Sequence, residues 1–307
     1  MKRTLKIGIT VLIIGLIMVA TGMFTHSFKD VTFNQHGRPE EVQVKQVNKK
    51  VKAFDAISVD LKSDQIRIKE GDTSRVEINS PEKAMPTVKS VGHKLVITQS
   101  RGDNSVTGWS FGDNPEGEFG FGDYKTTRHP GHTVVVTVPR GTKLSSINVK
   151  SRDGAVRITD VTADKVSASS TEDDVMLEHM TVNQPVKASS SDANVYVTGM
   201  TLNKPTLKSA EGDISLKNVQ LNQGSISLAD GNFTMTDGGF TGIVNVTNDD
   251  GDNTIINADK TKGYVLHSDD SNKLFDQHTS DGGALQQNET APDVMHLTTN
   301  DGDNSVQ

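Results

Sequence analysis

The sequence predicts an all-β chain: a single β-solenoid, parallel and β-helix-like, with coils of about 19–20 residues, preceded by one N-terminal transmembrane helix. Three observations lead there. One short alternating phrase recurs four times without pause: "LSSINVKSRDGAVRITDV" from Leu144, "DKVSASSTEDDVMLEHM" from Asp164, "QPVKASSSDANVYVTGM" from Gln184 and "KPTLKSAEGDISLKNV" from Lys204. Only 33% of residues are hydrophobic and 5% aromatic, which suits a thin stacked core better than a thick globular one. The third observation is an uncharged N-terminal run.

That run opens the chain. Lys2, Arg3 and Lys6 form a basic flank over residues 1–6, and Ile7 to Phe24 carry no charge. At about 1.5 Å per residue the run reaches roughly 27 Å, enough for a bilayer core. The flank places residues 1–6 in the cytoplasm and the remainder outside, as a single-pass cell-membrane protein. An uncleaved signal anchor over 7–24 is favoured over a cleavable signal peptide. The run exceeds the usual ~7–15-residue apolar region and ends in "VATGMF", a poor cleavage site. Residues 25–50 read as a polar stalk, with Val42, Val44 and Val47 able to start a strand, and 51–307 as the solenoid.

Within the solenoid the frame is regular. Ile147, Val149, Val156, Ile158 and Val161 are followed nineteen residues later by Val166, Ala168, Val175, Leu177 and Met180. Val186, Ala188, Val195, Val197 and Met200 come next, then Leu207, Ile214, Leu216 and Val219. Spacing at i, i+2 is the signature of strands, and the polar breaks "SRDG", "STEDD", "SSDAN" and "AEGD" are turns. A serine recurs at Ser151, Ser170, Ser190 and Ser209. Ile57, Val59, Leu61, Ile66 and Ile68 fit the same frame, and Val76, Ile78 and Ser80 fall nineteen residues after the first three of them. "ADGN", "VNVTNDDGDNTII" and "HLTTNDGDNSV" continue it toward the C-terminus. An array of antiparallel hairpins is the competing arrangement. Two-residue hairpin turns tolerate Asp-Asp and Ala-Asn poorly, whereas like-on-like stacking of Ser and aliphatic positions is what a solenoid predicts. About eight coils at ~4.8 Å are expected.

Charge is uneven. The whole chain carries −7, and the exported part without its three N-terminal basic residues −10. Residues 209–307 hold sixteen Asp/Glu against four Lys/Arg, a net −12, leaving +2 for 25–208. Such a balance argues against nucleic acid as a partner. It also gives like charges that oppose stacking at the solenoid end.

One stretch interrupts the frame. Residues 101–131 are Gly-rich and carry Trp109, Phe111, Phe119, Phe121 and Tyr124, five of fourteen aromatics. A loop this long is either functional or unstructured. These five form the candidate contact surface, for a membrane interface or a glycan, against the plainer role of capping the solenoid's side.

No catalytic constellation emerges, and no enzyme is expected. The absence of cysteine excludes disulfides, thiol catalysis and thiolate metal sites. Gly108-Trp109-Ser110-Phe111-Gly112 matches G-x-S-x-G, but "FGDNPEGE" follows where that motif needs a helix. Arg101-Gly102-Asp103 is a short match in a chain whose common turn dipeptide is Gly-Asp. "NDDGDN" (248–253), "SDDSN" (268–272) and "TNDGDN" (299–304) offer hard oxygen ligands, with Asp249, Asp250, Asp252, Asp301 and Asp303 as candidates for a weak divalent cation. They lack EF-hand spacing and the nonapeptide calcium pattern, so solvated turns are the default and no cofactor is expected.

"FDAISVDLKSDQIRIKEGD" (54–72), "VTVPRGTKLSSINVKSRDGAVRI" (136–158) and the Ser-x-Asp/Gly phrases after them resemble a bacterial β-strand-repeat family of unknown function labelled putative adhesins. It includes envelope-stress proteins of the Lia type in Gram-positive bacteria. The resemblance covers roughly 51–260 and implies a membrane anchor ahead of a repetitive β domain with a cell-surface role. It brings no catalytic residues, and the insertion at 101–131 departs from its compact pattern. The expected function is a non-enzymatic surface interaction module, in adhesion or envelope-stress sensing, with an envelope protein, a glycan or a cationic peptide as partner. A passive stalk or surface-layer component is the alternative, and a polysaccharide-acting enzyme on a β-helix scaffold the remote one.

Overall fold

The computed structural model describes residues 8, 10–15, 17, 18, 31–33, 39–41, 43–100, 132–280 and 282–307. The basic flank 1–6, Arg101-Gly102-Asp103, the Gly108–Gly112 motif and the five candidate aromatics lie outside the described residues. The chain divides into two units, 1–44 with 104–131, and 45–103 with 132–307. In the first, residues 10–15, 17 and 18 are helical, and Val11, Leu12, Ile13, Ile14, Ile17 and Met18 are all at least 49% exposed. Among the described residues no helix is long and apolar enough to cross a membrane. Val31–Phe33 pairs antiparallel with Pro39–Glu41.

The second unit is all-β. Two mainly parallel sheets bury their aliphatic faces in one core. Each repeat phrase contributes one strand to each sheet, joined through its Ser-centred turn, so the period-2 pattern buries the same positions coil after coil. Val134, Ile66, Val156, Val175, Val195, Ile214 and Phe233 are direct neighbours across successive strands, each 0% exposed. A second column runs Val136, Ile68, Ile158, Leu177, Val197, Leu216, Met235 and Ile255. Each fully buried aliphatic side chain contributes about 1.5–3 kcal/mol. The parallel pairing eliminates the hairpin array.

The stack holds ten parallel rungs, more than the eight expected, and their spatial order departs from sequence order at both ends. Ala56–Asp60 and Gln65–Gly71 form the second rung, inserted between the rung of Lys94–Thr98 with Thr133–Pro139 and that of Lys143–Lys150 with Val156–Thr159. At the other end Val294–Asp301 and Asn304–Val306 lie between the rung ending at Ile256 and the rung of Gly263–Ser268 with Asn272–Leu274. In sequence, Lys94–Thr98 and Thr133–Pro139 of the first rung flank residues 101–131, which lie outside the described residues. Antiparallel strands close both ends: Arg75–Pro81 and Thr87–Val91 at one, Gln277–Thr279 and Gly283–Gln287 at the other. Val76, Ile78 and Ser80 therefore belong to a cap, not to the further coil that their spacing suggests. Arg75–Pro81 runs back along Thr133–Pro139, and a reversed strand keeps the same period of two. Strand Val44–Lys50, outside the expected solenoid boundary at 51, lies at the edge of the shorter sheet. Its Lys45, Lys49 and Lys50 are the kind of side chains that deter further strand addition.

The recurring serine is a bracket between coils. Ser190 Oγ accepts from the Ala193 N–H (3.2 Å) and donates to the Asp173 carbonyl one coil away (3.1 Å). Ser170 and Ser209 repeat both bonds. All three are 5% exposed. Ser190→Ala is expected to cost about 1–3 kcal/mol, because the part-buried Ala193 N–H loses its acceptor and the buried Asp173 carbonyl its donor; a urea midpoint unchanged from wild type would contradict this. The turn is also tight. A Cβ on Gly212 would stand 2.2 Å from the Ala193 carbonyl oxygen, so the backbones touch there.

At the opposite corner seven of the ten rungs pass through the left-handed region, at Asp160, His179, Gly199, Asn218, Asp237, Asn257 and Phe275, with φ from 50° to 63°. Asp, Asn, His and Gly tolerate this conformation, but Phe does not. Phe275 is held by its ring contacts, edge-on to Tyr264 at 5.8 Å and beneath Lys260 at 5.1 Å.

Candidate functional site

The acidic turns of the last coils follow the same bracketing logic. At one position of each turn an Asp or Asn Oδ1 accepts the backbone N–H of its counterpart in the next rung. Asp174 takes Asn194 N–H (3.1 Å), Asn194 takes Asp213 (2.8 Å), Asp213 takes Asn232 (2.8 Å), Asn232 takes Asp252 (2.9 Å) and Asp252 takes Asp303 (2.9 Å). Asp303 Oδ1 then accepts from Ser271 Oγ at 2.6 Å. Two of the candidate cation ligands, Asp252 and Asp303, thus each commit one oxygen to joining coils.

Asp250 and Asp301 differ. Asp230, Asp250 and Asp301 are direct cross-strand neighbours in three successive rungs. All three are exposed, and their carboxylates have no partner among the described residues. Like charges at strand spacing, about 4.8 Å, repel one another, so the column costs energy that an external cation would relieve. Asp249 stands apart, 3.4 Å from Asn300 Nδ2. Among the described residues no three carboxylate or imidazole side chains converge in a metal-holding cluster. The fold therefore brings "NDDGDN" and "TNDGDN" into adjacent rungs as a line, not as a cage. Their near identity marks them in the sequence as the same turn of the frame, and the rung order sets them side by side. Asp230, in "ADGN", carries no such signal, because its turn holds a single carboxylate.

A polar crevice lies beside this end. A third facet of the coils carries Asn203, Asn222 and Thr241 in a hydrogen-bonded row: Asn222 Nδ2 donates to Asn203 Oδ1 (2.7 Å) and Thr241 Oγ1 to Asn222 Oδ1 (2.8 Å). Where the facet stops, residues 257–262 bend across it and leave a crevice of about 430 Å³ over Phe240 and Tyr264, rimmed by Gln220, Asn222, Asp259 and Lys262. Burial, with the Asp259 charge adding to it, pushes the Tyr264 hydroxyl up to about 12. Tyr264 stays protonated and donates to the Asp259 carbonyl at 3.1 Å. The Thr261 hydroxyl, then its N–H, hold the Asp259 carboxyl below the usual range. Lys262, then the Gly242 N–H, do the same for Asp293. Each group sits firmly in one protonation state near neutral pH, which suits binding better than proton transfer. The loop has no repeat frame, so nothing in the sequence marks these residues.

Comparison with known proteins gives a family and several similar structures. The family described as Toastrack DUF4097 matches residues 54–307. The crystal structure of a putative adhesin from Bacteroides fragilis is similar over 86% of this chain and 97% of its own, at 16% identity and TM-score 0.48. A putative lipid binding protein from Parabacteroides distasonis is similar over 86% and 97% (11% identity, TM-score 0.40). A putative adhesin from Parabacteroides merdae is similar over 86% and 96% (11%, TM-score 0.28). No curated protein matches the sequence.

Proposed function

The chain belongs to the Toastrack DUF4097 family, and on that premise we propose a non-enzymatic surface module, anchored in the cell membrane by residues 7–24, whose distal coils recognise a cationic partner at the envelope. The uncharged run from Ile7 to Phe24 and the exposed apolar side chains from Val11 to Met18 support the anchor. An anchor with a basic cytoplasmic flank puts the coils outside the cell. Adhesion and sensing of cationic envelope stress agents are both served by such a surface.

The observation that carries the reading is the unpartnered column Asp230, Asp250 and Asp301, in a segment of net charge −12. Unpaired carboxylates in line offer a cationic peptide steering and register. A labelled cationic peptide is expected to bind the full chain at low salt and to dissociate as salt screens the column. Asp250→Asn with Asp301→Asn should weaken binding about tenfold at low salt, or about 1.4 kcal/mol. Binding that ignores both salt and these substitutions would refute the reading. The bonds through Asp252 and Asp303 favour a second, passive role, a stalk that uses its turn aspartates only to join coils. In that case the same double substitution leaves peptide binding unchanged.

A further inference from the structure

The outer face of the longer sheet carries a second surface, of opposite sign. Seven neighbouring strands form it, in spatial order Thr87–Val91, Lys94–Thr98, Ala56–Asp60, Lys143–Lys150, Thr162–Ser169, Val186–Ser190 and Thr206–Ser209. They hold seven lysines, two aspartates and no arginine. Asp164 is taken by Lys143 at 2.7 Å, and Asp60 stands 3.9 Å from Lys62. The other six lysines, Lys89, Lys94, Lys150, Lys165, Lys187 and Lys208, are exposed and have no ion pair or side-chain hydrogen bond among the described residues.

Register gives the pattern. Lys150, Ser169 and Ser189 are neighbours across strands, as are Ser167, Lys187 and Thr206. With ~3.3 Å per residue and ~4.8 Å between strands, Lys165, Lys187 and Lys208 follow one another at about 8 Å, with Lys150 about 12 Å from Lys187. Outward-facing Asn148, Ser167, Ser169, Ser189 and Thr206 fill the spaces with neutral hydrogen-bond donors. Over the four strands from Lys143 to Ser209 no large apolar side chain is exposed, so nothing there would enter a lipid layer. Beyond Ser209 the outward positions Ser225, Ser227, Asn245, Thr247 and Thr298 carry no lysine, and the aspartate column begins.

We propose that this lysine face is a track for a linear polyol-phosphate polymer, laid across the strands from Lys143–Lys150 to Thr206–Ser209. Lysine meets phosphate as a point charge, whereas paired recognition of carboxylate favours the arginine fork that this face lacks. Hydroxyls and amides between the lysines donate to the remaining phosphate oxygens. The surface is distinct from the aspartate column and takes a partner of opposite charge.

The test titrates the full chain in nonionic detergent with labelled poly(glycerol phosphate) of defined length, from 50 to 300 mM salt. Combining Lys150→Gln, Lys187→Gln and Lys208→Gln should lower affinity at least tenfold at 50 mM salt. It should also flatten the log–log salt slope by about 2, at ~0.7 for each phosphate that the protein no longer neutralises. Combining Lys49→Gln, Lys217→Gln and Lys273→Gln removes equal charge from exposed lysines elsewhere and should leave binding unchanged. Asp250→Asn with Asp301→Asn should not weaken it, which separates this surface from the column. Equal loss in both lysine triples overturns the proposal, as does tighter binding to a polyuronate of equal charge density. So does a face that on sedimentation binds only a second copy of the chain.

Discussion

A chain ended after Asp293 is expected to lose two rungs, although it removes the residues of one. Strand Val294–Asp301 pairs on one side with Gly239–Asp250 and on the other with Gly263–Ser268. Asn304–Val306 likewise separates Asn253–Ile256 from Asn272–Leu274. Val294, Met295, Leu297 and Val306 are at most 4% exposed, and their burial accounts for roughly 6–12 kcal/mol. In a stacked repeat, stability resides in the interfaces between neighbours. Removing an interior rung cancels two interfaces, and the rung of Gly263–Leu274, with its cap, is left without a partner. Limited proteolysis of the truncated chain should therefore open residues 257–280 and 282–293 while 45–100 and 132–256 stay protected. If 263–274 remained as resistant as in the full chain, having closed directly onto Gly239–Asp250, the interlocked end would not hold the tip together.

The same rung shows how far the sequence can be read. The columns through Val156, Val175, Val195 and Ile214 are legible because an aliphatic period near 19–20 has few other physical explanations. Like residues on a parallel sheet stack with like, and the serine position reveals the turn. Spatial order at the ends is not legible. The phrases at Ile57 and Ile147 share a frame, but a frame states which positions face inward and does not state which coil lies beside which. Reversal of direction is hidden too, because Val76 and Ile78 alternate identically in a cap strand and in a coil. The acidic turns show in the sequence mainly as charge. Their cross-coil bonds depend on the Oδ1 atom that Asp and Asn share, so the interchange of the two at 174, 194, 213, 232, 252 and 303 carries a structural message in plain view. Of the site, Asp250 and Asp301 are visible as residues, but their meeting requires the rung order.

Asparagine at the inner column of the last three rungs sets up the second large effect. Following Phe233, the column that is aliphatic elsewhere continues as Asn253, Asn304 and Asn272, none more than 1% exposed. Asn253 Nδ2 donates to Asn304 Oδ1 (2.9 Å), and Asn304 Nδ2 to Asn272 Oδ1 (2.8 Å) and the His267 carbonyl (2.8 Å). Asn272 Nδ2 passes the chain to the Gly283 carbonyl at 3.0 Å. Asn304→Val breaks the middle of the row: Asn272 Oδ1 and the His267 carbonyl lose the Asn304 donor, and Asn253 Nδ2 keeps only the Thr298 carbonyl at 3.3 Å. At about 1–3 kcal/mol for each group that loses its donor, the single substitution should cost roughly 2–6 kcal/mol. Replacing Asn253, Asn304 and Asn272 together by Val removes donors and acceptors at once and restores the aliphatic column of the earlier rungs. The triple variant should recover at least half of that loss in urea denaturation, since a fully apolar position is close to neutral where a half-satisfied amide is not. A triple variant less stable than Asn304→Val alone would mean that the amides stabilise this end by themselves, and that the row is more than a substitute for the aliphatic column it continues.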